Sequence, residues 1–137
     1  MSYRVALVIP CCNHADPLKG LLTKLADLNL PAYLVDDGSA PSEQEKINRL
    51  LPDFPFVRLV RRHENGGKGA AVIDGALAAQ KDSFTHILQI DADGQHDTAD
   101  IPTLLALSKE HPDTLISGFP LYDDSVPKGR LIGRYIT

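Results

Sequence analysis

The chain has 137 residues, 43% hydrophobic and 23% charged, the balance of one globular domain with a real core. Eighteen acidic against fourteen basic side chains leave a formal charge of −4, which argues against nucleic acid as a partner, because phosphate binders carry a basic surplus. The apolar run near the start, Val5 to Pro10, is far too short for a membrane span or a signal-peptide core, so the chain reads as cytoplasmic, or as the cytoplasmic portion of something larger.

Short apolar runs alternate with amphipathic segments, the signature of βα units around a mostly parallel sheet, and so of an α/β fold. The run from Val5 to Ile9, closed by Pro10, predicts a buried central strand. Cys11 and Cys12 follow; two adjacent thiols form neither a disulfide framework nor a zinc site. Asp16 and Pro17 read as an N-cap and first turn, and Leu18, Leu21, Leu22, Leu25 and Leu28 place a leucine face on a helix ending near Asn29. Ala32 to Val35 predicts a second strand, running into Asp36-Asp37-Gly38-Ser39. Ser42 with Glu45 has the spacing of a capping box for a short helix carrying Ile47, Leu50 and Leu51.

Phe56 to Val60 reads as a third strand, with Arg58, Arg61 and Arg62 taken as edge or surface features. Gly66 to Gly69 opens a third helix to about Gln80, whose small residues let it lie close against the sheet. Thr85 to Ile90 predicts a fourth strand, followed by Asp91-Ala92-Asp93. Asp97 or Thr98 would cap a further helix up to His111, Thr114 to Ser117 would form a fifth strand, and 128–137 looks helical. Asn13, the Asp36 pair, the stretch from Asn65 to Lys68 and that from Asp91 to His96 each follow a strand. In an open parallel sheet, ligands bind outside the carboxyl ends of the strands, so the four clusters should share one edge.

Asp91 and Asp93, two apart beyond a buried strand, suit a hard divalent cation such as Mg²⁺ or Mn²⁺ that keeps positions for phosphate oxygens, and Gln95 could add a carbonyl. A calcium loop fails, because His96 and Pro102 stand where it needs glycine and glutamate. The turn Asn65-Gly66-Gly67-Lys68-Gly69-Ala70 offers backbone N–H groups, a helix N-terminus and an ammonium to an anion. It is neither a nucleotide P-loop, since Gly69 replaces the hydroxyl residue, nor a dinucleotide fingerprint, since Val72 replaces the third glycine. Asp36 and Asp37 suit hydrogen bonding to a base or ribose, or else a turn and cap, a description that fits Asp37 well. Arg130 and Arg134 share one helical face, suited to a diphosphate or lipid phosphate, or to pairing with Asp123 and Asp124.

In this order the motifs Val-Ile-Pro10…Asn13, Asp36-Asp37-Gly-Ser, Asn65-x-Gly-Lys68-Gly-x-Ala and Asp91-x-Asp93-x-Gln95 resemble the inverting family 2 glycosyltransferases of the GT-A fold. The subgroup they look most like is the polyprenyl-phosphate sugar transferases, of the dolichol-phosphate mannose synthase kind. The resemblance implies a Rossmann-like, mostly parallel sheet with helices on both faces, residues 1–137 forming the nucleotide-sugar-binding part of a longer domain. It implies transfer of a sugar from a nucleotide-diphosphate-sugar donor with inversion, in cell-envelope polysaccharide or glycolipid synthesis at the cytoplasmic face of a membrane. Pro10 and Asp36 would then lie against the nucleoside, with Asn13 and Asp37 also among the substrate-binding residues, Lys68 near the nucleotide, and Asp91 on the ribose or sugar and the metal. Asp93 and Gln95 would complete the Mg²⁺ or Mn²⁺ site, Asp91 and Asp93 forming the catalytic pair, with Arg130 and Arg134 where the subgroup places arginines that contact phosphate. The subgroup tends to Gly-Ser-Arg after its fifth strand, where this chain reads Ser117-Gly118-Phe119-Pro120. A glycan or lipid hydroxyl therefore stands beside polyprenyl phosphate as acceptor, and membrane association would come through sequence beyond Thr137. Two rival readings are a sugar-nucleotide-binding fragment without turnover and a sugar-phosphate nucleotidyltransferase, although the latter places its glycine-rich turn directly after the first strand.

Overall fold

The computed structural model describes residues 2–93 and 98–116. The chain divides into two compact units, Met1–Thr98 and Ala99–Thr137. The first unit contains β1 (Val5–Cys11), α1 (Ala15–Leu25), β2 (Ala32–Asp37), α2 (Pro41–Leu50), β3 (Val57–Arg62), α3 (Lys68–Lys81) and β4 (His86–Gln89). The strands form one parallel sheet in the order β3-β2-β1-β4. The chain steps outward from β1 to β3 and then returns past β1 to β4. With right-handed crossovers, that reversal places α1 and α2 on one face and α3 on the other.

Strand alternation sorts the core between the two faces. Ala6 and Val8 of β1 and Tyr33 and Val35 of β2 pack with Ala71 and Ala79 of α3. Leu7, Ile9 and Leu34, which point the other way, are fully buried, as are Leu18, Leu22 and Leu25 of α1 and Ile47 of α2. Each such side chain contributes about 1.5–3 kcal/mol by leaving water. Helix α3 approaches its face closely because Gly75 has no side chain: a Cβ there would lie 2.6 Å from Val8 Cγ1 and 3.0 Å from Val35 Cγ2.

Several local signals give way to tertiary partners. Asp16 lies inside the first turn of α1, whose N-cap position is His14 without a side-chain cap bond. Glu43 of α2 instead accepts the Ala15 N–H through Oε2 at 3.2 Å. The expected Ser42–Glu45 box is likewise displaced, because α2 starts at Pro41 with Ala40 in the cap position; the fixed φ of proline suits the first helical position. Two strands run further than their sequence suggests: β2 through Asp37 and the edge strand β3 through Arg62.

A 3-10 turn, Thr98–Asp100, leads into α4 (Ile101–Glu110) of the second unit, with Asp100 rather than Asp97 or Thr98 in the cap position. Residues 114–116, expected to open a fifth strand, are a bend and irregular chain outside the four-stranded sheet. A short apolar run carries strand propensity, but a strand exists only through ladder partners. Ser117, Asp97 and 128–137 lie outside the described residues.

Close packing at Gly75 sets two opposing effects against each other. Helix propensity alone favours Gly75→Ala by about 1 kcal/mol, whereas overpacking a filled core costs about 1–3 kcal/mol. We expect packing to win, with Gly75→Ala lowering the urea midpoint. Gly69→Ala, at a position with open space around it, should raise the midpoint or leave it unchanged.

Candidate functional site

Four loops meet at the carboxyl edge of the sheet. After β1 the chain turns at Asn13, whose φ is 56°. Its backbone N–H donates to Ser39 Oγ at 3.0 Å, and its Oδ1 accepts the Ala40 N–H at 2.8 Å. The loop after β1 is thereby tied to the loop after β2. That second loop also meets the one after β3: Gly38 has a φ of +69°, and a Cβ on it would lie 2.4 Å from the backbone nitrogen of Asn65.

Asp36 and Asp37 end β2 directly opposite Arg61 and Arg62 of β3. Alternation sends the two pairs to opposite faces. Asp36, fully buried, pairs with Arg61 Nε at 3.0 Å and accepts the Ser39 N–H at 3.1 Å, while Arg61 reaches Asn48 of α2. Asp37 faces α3 and pairs with Arg62 Nε at 2.9 Å, and Arg62 also holds Asp74 of α3. The two arginines lie on the edge strand β3, as expected, and are half-buried there as partners of buried carboxylates. Without such partners, buried aspartates would be strongly destabilising.

The glycine-rich turn is organised from inside. The Gly66 and Gly67 N–H groups, read as open to an external anion, both donate to Asp37, at 2.9 Å to Oδ1 and 2.9 Å to Oδ2. An internal carboxylate fills that seat, and the turn's cationic contribution to the cleft is Lys68, the first residue of α3. Lys68 Nζ lies 2.6 Å from Asp91 Oδ1, beyond β4.

These groups line a cleft of about 300 Å³ bounded by Pro10, Cys11, Cys12 and His14, by Asp37, Asn65, Gly67 and Lys68, and by Ala71 and Asp91 to Asp93. The strand order reverses between β1 and β4, the position at which open α/β sheets bind ligands. The structure therefore brings together Pro10, Asp37, Lys68, Asp91 and Asp93. It places Asn13 and Asp36 outside the lining, each bonded to neighbouring loop or strand groups. Gln95, Arg130 and Arg134 lie outside the described residues. Asn65, the first residue of the glycine-rich turn, lines the cleft, and so do Cys12 and His14, whose only signal is position in the loop that follows β1.

Among the described residues no three His, Cys, Asp or Glu side chains gather as a metal cage. Asp91 and Asp93 supply hard oxygen donors at the cleft wall, with the side chain of Ala92 buried between them. That set fits Mg²⁺ or Mn²⁺, which commonly bind through one or two carboxylates together with substrate phosphates.

The family model described as glycosyl transferase family 2 matches residues 6–134. A dolichol-phosphate mannosyltransferase of Pyrococcus furiosus is 31% identical over 96% of this chain and 40% of its own length. An undecaprenyl-phosphate mannosyltransferase of Micrococcus luteus is 28% identical over 74% of this chain and 43% of its own length. The chain spans less than half the length of these two relatives. A solved mannosyltransferase of Pyrobaculum calidifontis, in complex with GDP-Man and Mn²⁺, shares the fold with a TM-score of 0.60 at 21% identity, over 85% of this chain and 35% of that one.

Two outcomes follow from this geometry. In Asp37→Asn the new amide group is a donor facing donors, and stability should fall by about 2–3 kcal/mol in urea titration. The thiols should separate as well. Burial, the largest cause, pushes the Cys11 thiol up to about 11, so it stays protonated and inert at pH 8 and gains reactivity only as pH rises toward that value. Native alkylation at pH 8, read by mass spectrometry, should modify the partly exposed Cys12 and spare Cys11.

Proposed function

The chain belongs to glycosyl transferase family 2, and from that membership we propose that it forms the donor-binding part of a metal-dependent enzyme that transfers a sugar from a nucleotide-diphosphate-sugar, with inversion. The observation that carries this reading is the meeting of Lys68 with Asp91 and Asp93 in one cleft at the strand-order reversal. A diphosphate has two needs, positive charge and a metal bridge, and this cleft wall offers groups for both.

In this reading Pro10 and the side chains around it flank the nucleoside, and Asp37 shapes that end of the cleft through the turn it grips. Asp91 and Asp93 would hold Mg²⁺ or Mn²⁺, with Gln95 as a third donor. Bound there, the divalent ion stabilises the charge developing on the leaving nucleoside diphosphate as a Lewis acid. Lys68 adds a directed positive charge to the same oxygens, effective because it is in place before charge develops. An acceptor attacking opposite the leaving group inverts the anomeric carbon in a single displacement. A polyprenyl phosphate is already a nucleophile and needs no general base, whereas a glycan or lipid hydroxyl would require one.

The two lipid-phosphate mannosyltransferase relatives favour polyprenyl phosphate as acceptor, with Arg130 and Arg134 assigned to its phosphate. A carrier of that kind would be met at a membrane surface, and we assign the reaction to the cytoplasmic face. None of the described helices is long and apolar enough to cross a membrane, so association would be peripheral or through other sequence.

A thermal-shift panel of UDP, GDP, CDP and dTDP, each with Mn²⁺, Mg²⁺ or chelator, tests the reading. One nucleotide should stabilise the protein only with metal, by about 2.7 kcal/mol at a hundredfold its dissociation constant. GDP is the first candidate, given the donor bound to the Pyrobaculum calidifontis mannosyltransferase. Asp93→Asn, at an exposed position, should keep the unliganded melting temperature and lose the metal-dependent shift. A shift of equal size with chelator would refute metal dependence.

A further inference from the structure

Resting on that reading of the cleft, we propose that Lys68 is an exchangeable cation: it holds the place of the divalent ion on Asp91 and is traded for it when the donor's diphosphate arrives. Lys68 Nζ is 2.6 Å from Asp91 Oδ1, on one of the two carboxylates that fit a metal. The pair is uneven. The Asp91 side chain is only 20% exposed, whereas that of Lys68 is 55% exposed. The carboxylate is therefore fixed at the cleft wall, while the lysine stem has room to swing. What does not swing is the lysine backbone, because the two N–H groups just before it are gripped by Asp37. The exchange is thus a side-chain movement on an anchored pivot.

A single ammonium and a divalent ion compete for the same oxygen. A metal arriving alone has to displace a tethered cation. A diphosphate arriving alone has to draw the ammonium away and then faces the charges of Asp91 and Asp93. Arriving together, each removes the other's obstacle: the metal releases Lys68, and the diphosphate gives the released ammonium a new anionic partner. Lys68 would then make metal and diphosphate binding mutually dependent, and thermodynamic linkage requires the dependence to be equal in both directions.

Binding of Mn²⁺ followed by electron paramagnetic resonance, and of GDP by calorimetry with and without Mn²⁺, separates this role from that of a simple phosphate-binding lysine. Both kinds of lysine lower GDP affinity when removed; only an exchangeable one also raises affinity for the metal alone. In Lys68→Gln, Mn²⁺ without nucleotide should bind about fivefold more tightly, the scale of one half-exposed ion pair. GDP should bind more weakly, and the factor by which Mn²⁺ improves GDP binding should shrink. Lys81→Gln, the same charge change at the other end of the 14-residue α3, is about 20 Å away by helical rise and should alter Mn²⁺ affinity less than twofold. Unchanged or weaker Mn²⁺ binding in Lys68→Gln, with the native protein still taking up GDP and Mn²⁺ together, would overturn the exchange and leave the donor site standing. Failure of the native protein to bind either ligand would overturn both.

Discussion

The carboxylate of Asp37 is the constraint on which the rest of the cleft depends. It is nearly buried at the end of β2, where an unpaired charge would cost several kcal/mol. Its oxygens accept one arginine N–H and two backbone N–H groups, drawn from the end of β3 and the turn before α3. To satisfy that one group the chain has to bring three segments together, and the place where they meet fixes the start of α3. The position of Lys68 follows from it, and with it the position of the ammonium beside Asp91.

The same strand alternation that divides the apolar core also divides the polar edge. On the α3 face, β3 contributes Arg62 toward Asp37 and Asp74 and, four residues earlier, Arg58 toward Tyr33 and Asp82. Helix α3 is therefore held to the sheet through its first half and again at its C-terminal end, with close glycine packing at Gly75 between. On the opposite face, Asp36, Arg61 and Asn48 tie the sheet to α2, and Glu43 carries the tie on to α1. A ligand site on loops is only as well defined as the loops, and here each loop that follows β1, β2 and β3 is bonded to a neighbour.

Much of this was legible in the sequence where the signal is periodic. The leucine face of α1, the apolar strands and the meeting of four polar loops at one edge all follow from spacing and from the geometry of parallel sheets. The choice between Asp36 and Asp37 was not legible, for a physical reason. Val5 to Ile9 and Ala32 to Val35 are apolar at every position, as strands covered on both faces are, so nothing in them marks which residues look toward α3. The phase of the alternation decides which aspartate enters the cleft, and tertiary structure alone sets that phase. The glycine-rich turn failed differently: its composition announced N–H groups seeking an anion, correctly, but not that the anion is part of the chain. Asp16 and Ser42 have cap chemistry that their helices do not use, because Glu43 and Pro41 meet the same need by other means.

Asp37 and Asp91 show how one cleft gives two like groups different duties. Both are carboxylates at strand ends, and both have cationic partners within 3 Å. The partners of Asp37 are backbone amides and a guanidinium shared with Asp74, held by the strand and turn that carry them, and none can leave without disturbing the fold. The cation beside Asp91 is an ammonium on a flexible, half-exposed stem, and Gln89 Nε2 also donates to its Oδ1, at 3.5 Å. A planar, forked cation serves where a contact has to be permanent, and a compact, hydrated one where it has to be given up. The arrangement thus separates a carboxylate whose partners are built into the fold from one whose cationic partner can move, by the mobility of that partner rather than by any difference in the acids themselves.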